Sequence, residues 1–292
     1  NPMKLYKRAA ALILTAATLL SLVPPVSAVD DHVTVSSAKE FYALVQSCTR
    51  DVWSQGVTVE LTADLDLSGS DFQPIPIFQG TFHGNGHTIR GITYDHKGST
   101  LGLFRTLTES AVVENLSVEG LLEPQGSASQ LGLLAGENYG TIRSCSAKGT
   151  VSGQEDVGGL VGVNGETGRI EGSSSQTQIS GVTNVGGIAG QNLGTLEQCV
   201  NTGLLNPDPD QEIPTSVGGI AGLSRGTIQS CSNSGEIGYQ HLGYNMGGIV
   251  GLQSGSVLQC SNTGQVWGRK DVGGIVGQFE PNADVTYGDS PM

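Results

Sequence analysis

Short apolar segments alternate with glycine and small polar residues along most of the chain, and one apolar segment recurs six times. It reads as an aliphatic residue, usually two glycines, an aliphatic pair and a closing glycine, and we call it the GG segment. Its copies are Leu131–Gly136, Val157–Gly162, Val185–Gly190, Val217–Gly222, Met246–Gly251 and Val272–Gly277, with a degenerate copy that begins at Leu101. The copies lie 26 to 32 residues apart. This period indicates a solenoid, in which each unit buries its apolar face only against its neighbours.

Further apolar residues follow each GG segment at fixed intervals. In the unit that begins at Leu131 they are Ile142, Cys145 and Val151, and equivalent residues occur in the later units. Three apolar segments separated by Gly, Asn, Ser and Thr predict three strands and three turns. Glycine at this density disfavours helices, because it costs about 1 kcal/mol at each position of a helix interior.

We therefore predict an all-β fold, a right-handed three-sided parallel β-helix of about seven stacked repeats over residues 57–280. Ile142 and Cys145 are three positions apart, so an unbroken strand would direct them to opposite faces. We therefore expect a bend near Arg143 and Ser144 and at the equivalent positions of the other units.

Residues 1–28 have the pattern of a secretory signal peptide. Three basic residues near the start precede an apolar run over 9–23 and a small-residue cleavage site at 26–28. A membrane anchor is the alternative, but the apolar run is shorter than the roughly 20 residues that a span needs. Cleavage near Ala28 predicts a secreted or cell-surface protein with no membrane insertion afterwards.

Loss of residues 1–28 also removes three positive charges, which lowers the formal net charge from −13 to −16. An acidic surface repels phosphate backbones and anionic lipid headgroups. Nucleic acid is therefore not an expected partner, and the simplest consequence of the charge is solubility.

The two ends of the predicted β-helix differ. Ser37 and Glu40 have capping-box spacing, and apolar residues follow at helical intervals. We predict a helix from Ser37 to about Val52, within an N-terminal cap of residues 29–56 that covers the first strand edge. Residues 281–292 carry no such pattern, and we expect that the chain is truncated there or continues into another domain.

The repeats resemble the GLUG-motif repeats of bacterial secreted and surface proteins. The resemblance lies in the GG segment followed by Gly-Thr-Ile-x-x-Cys-x-Asn-x-Gly, and residues 78–89 resemble the stretch that commonly precedes such repeats. It covers roughly residues 57–280 and implies a β-helix without an assigned chemistry of its own. GLUG repeats also occur in non-catalytic regions of IgA-cleaving metallopeptidases, and the zinc motif of those enzymes, His-Glu-x-x-His, is absent from this sequence.

Three sets of residues could be interpreted as a metal site, disulfides or a ligand site, but a structural role is the better explanation of each. His83 and His87 flank Gly-Asn-Gly, which predicts a turn and not a metal site, since zinc needs three or four ligands. Four cysteines share one repeat position, namely Cys145, Cys199, Cys231 and Cys260. Those two coils apart are too distant for a disulfide, and those one coil apart have parallel side chains that do not favour one. We therefore expect a column of buried free thiols that act as small apolar residues. Asn201, Asn233 and Asn262 also repeat, and we expect a stacked turn column, because Asn tolerates the left-handed conformation. No cofactor is expected.

All large length differences between repeats fall at one place, before the GG segment. The added residues are 123–130, 206–216 and 238–245, and we call these three loops the insertion edge. Loops are where solenoids carry function. Exposed aromatic residues beside carboxylates suit the recognition of a glycan or an extracellular protein. The candidate ligand-binding residues are Asp208, Asp210, Glu212, Tyr239, His241, Tyr244 and Trp267. Surface loops that are merely tolerated are the alternative.

Three functions remain open at this stage. The first is a non-enzymatic extracellular or cell-surface module, a spacer or adhesin that presents loops from one edge and has no catalytic residue. The second is a polysaccharide lyase or glycosidase, which needs two carboxylates at about 5–9.5 Å or a calcium site of clustered acids; the acids that could share the edge are Glu155, Asp156, Asp208, Asp210 and Asp271. The third is the N-terminal stalk of a longer surface protein or peptidase.

Overall fold

The structure, a computed structural model, describes residues 31–280. Within this range the chain forms short parallel strands that pair with the equivalent strands of neighbouring coils, and one helix near the start. The predicted signal peptide and the predicted tail of residues 281–292 lie outside the described residues. The strands form four ladders, which we number in the order in which a coil visits them.

Ladders 1 and 2 come from the two halves of the GG segment and the residues around them. Ladder 1 contains Ser129–Leu131, Glu155–Gly158, Thr183–Gly186, Thr215–Gly218, Tyr244–Gly247 and Lys270–Gly273. Ladder 2 contains Ile75–Phe78, Phe104–Leu107, Ala135–Asn138, Val161–Asn164, Ala189–Asn192, Ala221–Ser224, Val250–Gln253 and Val276–Phe279.

Ladders 3 and 4 complete each coil. Ladder 3 contains His32–Val35, Thr58–Leu61, Thr81–His83, Val112–Glu114, Thr141–Arg143, Arg169–Glu171, Thr195–Glu197, Thr227–Gln229 and Ser256–Leu258. Ladder 4 contains Leu65–Asp66, Thr88–Tyr94, Ser117–Leu122, Ser146–Ser152, Ser174–Ser180, Val200–Asn201, Ser232–Asn233 and Ser261–Asn262.

The structure confirms an all-β solenoid of stacked parallel coils, with two refinements. Ladder 3 has nine strands in the described range, more than the seven repeats counted from the GG segments. The additional coils lie before Leu101, where Val59 and Phe82 occupy the buried column although no GG segment marks them. The side predicted from the GG segment is also divided, because its two halves pair in separate ladders.

Equivalent apolar residues stack into continuous columns inside the coils. In ladder 3 the column is fully buried from the second coil to the eighth, and it contains Val59, Phe82, Val113, Ile142, Ile170, Leu196 and Ile228. Burial of one such side chain is worth about 1.5–3 kcal/mol. Phe78, Phe82 and Phe104 pack their rings together in the early coils, at centroid distances of 5.4–6.2 Å. The repeated aliphatic spacing therefore builds one shared core.

The predicted bend between Ile142 and Cys145 is confirmed, and its cause is a left-handed residue. Ser144 has φ of 53°, and Ile142 and Cys145 on either side of the bend are both buried. Successive coils bend at the same point, at Asn115, Ser144, Gly172, Gln198, Ser230 and Gln259. A second column of positive φ precedes the GG segments, at Thr100, Gln130, Asp156, Asn184, Ser216, Asn245 and Asp271. Non-glycine residues enter this region at a cost, so the coil geometry imposes the bend regardless of residue type.

Two ladders of side-chain amides run through the interior. Asn138 Nδ2 donates to Asn164 Oδ1 at 2.9 Å, and Asn164 Nδ2 donates to Asn192 Oδ1 at 2.9 Å. All three residues are buried at the end of ladder 2. Each also binds main-chain atoms of its own coil or the next, so its polar atoms are satisfied without water. This ladder was not predicted from the sequence.

The second amide ladder contains the asparagines that were expected to form a turn column. Asn201 Nδ2 donates to Asn233 Oδ1 at 2.8 Å, and Asn233 Nδ2 donates to Asn262 Oδ1 at 2.8 Å. The stacking is confirmed, but the expected left-handed conformation is wrong: these asparagines are strand residues, and none of them has a positive φ. Their side chains replace the apolar contacts of this column with hydrogen bonds.

The N-terminal helix is Ala38–Ser47, and it ends five residues earlier than predicted. Ser37 caps it, and its Oγ accepts from the main-chain N–H of Glu40 at 3.2 Å. Glu40 Oε2 accepts from Ser36 N at 2.6 Å, which completes a capping box displaced by one residue. Phe41, Leu44 and Val45 are buried. Turns replace the helix after Cys48, because Thr49 and Arg50 donate to carbonyls only three residues back.

The five cysteines are free thiols, and four of them form the predicted column. Cys145, Cys199 and Cys231 are buried, whereas Cys260 is half-buried. Burial raises the pKa of the Cys145 thiol to about 12, and a hydrogen bond with Cys199 is the main cause that raises the pKa of Cys231 to about 12. These thiols are therefore protonated at neutral pH and poor nucleophiles.

We predict that Asn164→Ala lowers the free energy of unfolding by about 2–4 kcal/mol, because it removes two ladder hydrogen bonds and strands the amides of Asn138 and Asn192 in the core. Urea denaturation followed by circular dichroism measures the loss. Asn262→Ala is the matched control, since that amide is only half-buried at the end of its ladder, and its loss should be smaller. An equal loss of unfolding free energy in the two variants would show that burial of the amide does not determine its contribution.

We predict that the native protein reacts slowly with a thiol reagent at mildly alkaline pH, whereas denaturant without reductant exposes all five cysteines. The high pKa and burial of Cys145 and Cys231 are the reason. Spectrophotometric thiol counting measures both states, and Cys260→Ser should remove the fastest native reaction. Three or fewer reactive thiols in the unfolded chain would instead reveal at least one disulfide.

Candidate functional site

The insertion edge lies where the chain passes from ladder 4 to ladder 1. The loops 123–130, 206–216 and 238–245 all bridge these two ladders. The short coils cross the same corner with only five residues between Ile179 and Val185, whereas eleven separate Leu205 from Val217. The flanking positions keep their register across this difference, because Leu205 pairs with both Ile179 and Ile237. Added length therefore leaves the interior unchanged.

The loop 206–216 is held in one conformation by its own polar groups. Asn206 Nδ2 donates to Gln211 Oε1 at 2.6 Å, and Gln211 Nε2 donates to the Asn206 carbonyl at 2.8 Å. Asp208 Oδ1 accepts from the main-chain N–H of Asp210 at 2.8 Å, an Asx turn. Three prolines restrict the remaining φ angles. The loop is thus ordered before any ligand arrives.

This loop folds back over the corners of two preceding coils and encloses a cleft of about 320 Å³. That volume is at the lower end of the range of ligand sites. Its polar lining comes from three coils and includes Gln154, Ser180, Asn206, Asp208, Gln211 and Glu212. Asp208 and Glu212 supply carboxylates, and the amides and hydroxyls can donate or accept. Asp210 is exposed on the same loop but does not line the cleft.

The aromatic candidates lie one or two coils beyond this cleft. Tyr239 is 40% exposed and lies in a small turn closed by the hydrogen bond from Leu242 N to its carbonyl. His241 is exposed with φ of 61°. Tyr244 is half-buried in ladder 1, and Trp267 Nε1 donates to Glu236 Oε1 at 2.9 Å. The structure therefore places acids and aromatics along one edge, whereas the cleft contains acids and amides alone.

Asp156 is the acid with the clearest electrostatic perturbation near this edge. Burial raises the pKa of its carboxyl, while a hydrogen bond from Asn184 Nδ2 at 3.0 Å acts in the opposite direction. Raised pKa values are common at active sites, but Asp156 belongs to the left-handed column before the GG segment. Gln130 accepts from Thr100 in the same column at 2.7 Å. The side chain of Asp156 therefore links coils.

The two histidines that suggested a metal site lie next to different carboxylates. His83 Nδ1 lies 2.8 Å from Glu114 Oε1, and His87 Nδ1 lies 3.2 Å from Asp64 Oδ1. Between them, positive φ at Asn85 and Gly86 and the hydrogen bond from His87 N to Gly84 O form the predicted turn. In the described part of the chain, no group of three or more His, Cys, Asp or Glu residues could hold a metal ion.

A charge ladder covers the outer face of ladder 3. Arg143 bridges Glu114 at 3.0 Å and Glu171 at 2.7 Å, and Arg169 bridges Glu171 and Glu197. These arginines hold the pKa of Glu171 below its usual range, with Arg143 the larger cause. The groups are partly exposed, and such pairs contribute little each. The ladder neutralises most of its own charge.

Sequence reasoning identified the acids of the cleft but not its amides. Gln154 and Gln211 were not singled out, because an isolated glutamine in a loop has no periodic signal. Asn206 carried a usable signal, since Asn before Pro at the start of an insertion is typical of a turn. No helix within residues 31–280 combines the length and the hydropathy needed to cross a membrane.

Comparisons with known proteins agree with this architecture. A curated relative, halomucin of Haloquadratum walsbyi, is 34% identical over 145 residues, which are 44% of this chain and 2% of halomucin. Another, described as a candidate Gly-rich membrane protein of Evansella cellulosilytica, is 35% identical over 96 residues, 31% of this chain and 11% of that protein. The chain thus spans only a small part of the curated relatives that it matches.

A solved structure shares the fold. The crystal structure of a candidate immunoglobulin A1 protease from Bacteroides ovatus superposes with a TM-score of 0.60 at 20% identity, over 85% of this chain and 82% of that one. Identity at this level shows the fold alone. The GLUG motif matches residues 127–152, which form one coil from the insertion edge to the end of ladder 4 at Ser152. The chain therefore carries the GLUG motif that its repeats resembled.

Proposed function

We propose that this chain is a non-catalytic repeat module of the cell surface or the extracellular space, which presents the loops of its insertion edge to a carbohydrate or a protein. One observation carries the proposal: the interior of the coils is uniform, and nearly all added length emerges at one corner. A uniform interior provides rigidity, and a variable edge provides specificity.

Four features support this location. The GLUG motif resembles repeats of secreted and surface proteins, and one curated relative is described as a membrane protein. The first 28 residues have the pattern of an export signal. The acidic exterior suits an aqueous surface and disfavours nucleic acid.

A stalk within a longer protein is a compatible second role. The curated relatives are much longer than this chain, which covers 2% of one and 11% of the other. Parallel ladders add coils without altering those already present, so such a module can carry further domains at a fixed distance.

A lyase or glycosidase on the same edge is less well supported. Among the described residues that line the cleft, Asp208 and Glu212 have no arginine or lysine beside them, and a lyase needs a basic group or a metal near the acids. Asp156, the acid with the raised pKa, binds Asn184 of the next coil. The acids of the edge therefore suit binding better than proton transfer.

We predict that replacing residues 206–216 and 238–245 by the short connection of residues 180–184 abolishes binding to glycans and extracellular proteins on an array. Thermal stability should change little, because short coils already use that connection. The matched control places the same connection at 123–130, which carries none of the candidate ligand-binding residues, and it should retain binding. Unchanged binding to every target after both replacements would refute the edge as a recognition surface.

We predict no turnover of polysaccharides by the full chain, with or without added Ca²⁺. A reducing-sugar assay and absorbance of unsaturated products on a polysaccharide panel are the measurements. Asp208→Asn with Glu212→Gln is the control for any trace activity. Turnover that this double variant abolishes would establish an enzyme and overturn the proposed function.

A further inference from the structure

The cleft at the insertion edge contains a buried amide, that of Asn206, in addition to its exposed acids. Asn206 is 1% exposed, and it is one of the residues that line the cleft. Its Nδ2 atom donates to the Gly181 carbonyl at 2.7 Å and to Gln211 Oε1 at 2.6 Å. Both donor positions are thereby occupied, and the orientation of the amide is fixed.

The other polar atom of this amide lacks a partner. Among the described residues, no group donates a hydrogen bond to Asn206 Oδ1, although the atom is buried. An unsatisfied buried acceptor costs about 1–3 kcal/mol, so a native protein retains one only where something compensates. A ligand that brings an O–H or N–H to the floor of the cleft would satisfy it.

The remaining lining has the composition that recognises hydroxyl groups. Asp208 and Glu212 accept, and the side chains of Gln154, Gln211 and Ser180 can both donate and accept. A hydroxyl also donates and accepts, so a polyol matches this mixture better than a group of one sign. The prolines and the Asn206–Gln211 pair hold the loop in place, which reduces the entropic cost of binding.

We propose that this cleft is a subsite for one unit of a neutral or amino-bearing saccharide, with Asn206 Oδ1 accepting from the sugar at the floor and Asp208 and Glu212 binding hydroxyl or amino groups at the sides. The inference rests on the proposed function and deepens it. Two carboxylates in a chain of formal net charge −13 repel carboxylate and sulfate groups. We therefore expect sialylated and sulfated sugars not to bind.

The test measures binding of the full chain to lactose, chitobiose and mannobiose, and to sialyllactose and a sulfated disaccharide, by NMR titration. At least one neutral or amino-bearing sugar should bind saturably, and the anionic pair should not. Asp208→Asn and Glu212→Gln should each weaken binding about tenfold or more, as expected when a hydrogen bond to a charged group is lost. Asp208→Asn retains an oxygen for the Asp210 N–H, so the loop should keep its shape.

Asp210→Asn is the matched control, because it removes the same charge from the same loop outside the cleft, and binding should stay within about twofold of the unchanged chain. Equal weakening by Asp210→Asn would mean that general charge matters and not the cleft. Binding of no sugar, preference for the anionic sugars, or saturable binding of Ca²⁺ alone would overturn the subsite. If the array shows edge-dependent binding while these cleft variants have no effect, the proposed function stands and only the subsite fails.

Discussion

Every inward side chain of this solenoid shares its place with equivalents one coil above and one coil below, about 4.8 Å away in a parallel ladder. An interior position therefore has to suit a neighbour of its own kind. Aliphatic side chains meet this condition through packing. Asparagine meets it because its amide carries a donor and an acceptor at opposite sides, so each residue can donate in one direction and accept in the other. Stacking explains why amides form continuous ladders in a core that is otherwise apolar.

The same constraint explains the second glycine of the GG segment. A Cβ atom at Gly187 would lie 2.0 Å from the Gly219 carbonyl oxygen and 2.4 Å from Asn201 Cγ. The equivalent atom at Gly219 would lie 2.4 Å from Asn233 Cγ. The GG segment thus passes directly against the second amide ladder. Glycine is needed there because the asparagine of the same coil occupies the space, and the two motifs of the repeat are parts of one contact.

The sequence was sufficient for the fold because its signals were periodic. The GG segments, the aliphatic positions and the cysteine column predicted parallel stacking. The three-residue interval between Ile142 and Cys145 predicted a bend between them, which the structure places at Ser144. The first coils were undercounted, since Val59 and Phe82 are buried without a GG segment. The division of the GG segment between two ladders was also missed. Glycine has no side chain, so the pattern of apolar and polar residues does not indicate which strand its main chain pairs with.

The candidate site was only partly predictable. One-sided insertions located the edge, and the acids Asp208 and Glu212 were identified by composition. The cleft itself depends on the direction in which loop 206–216 folds, which is set by two side-chain amides, Asn206 and Gln211, and by contact with corners two coils away. Such non-periodic contacts are invisible to spacing arguments. The aromatics of the next loop share the edge but not the cleft, which composition alone could not separate.

The geometry of stacking also bears on economy of length. A coil consumes 26 to 32 residues and advances about 4.8 Å, whereas the same residues fully extended would reach roughly 90–110 Å. The solenoid therefore lengthens very little along its axis for each residue added, whereas each coil adds to the surface of its sides. Each added coil brings one more corner at close, regular intervals. A polymeric partner could therefore meet several successive corners at once, and weak individual contacts would combine along the stack.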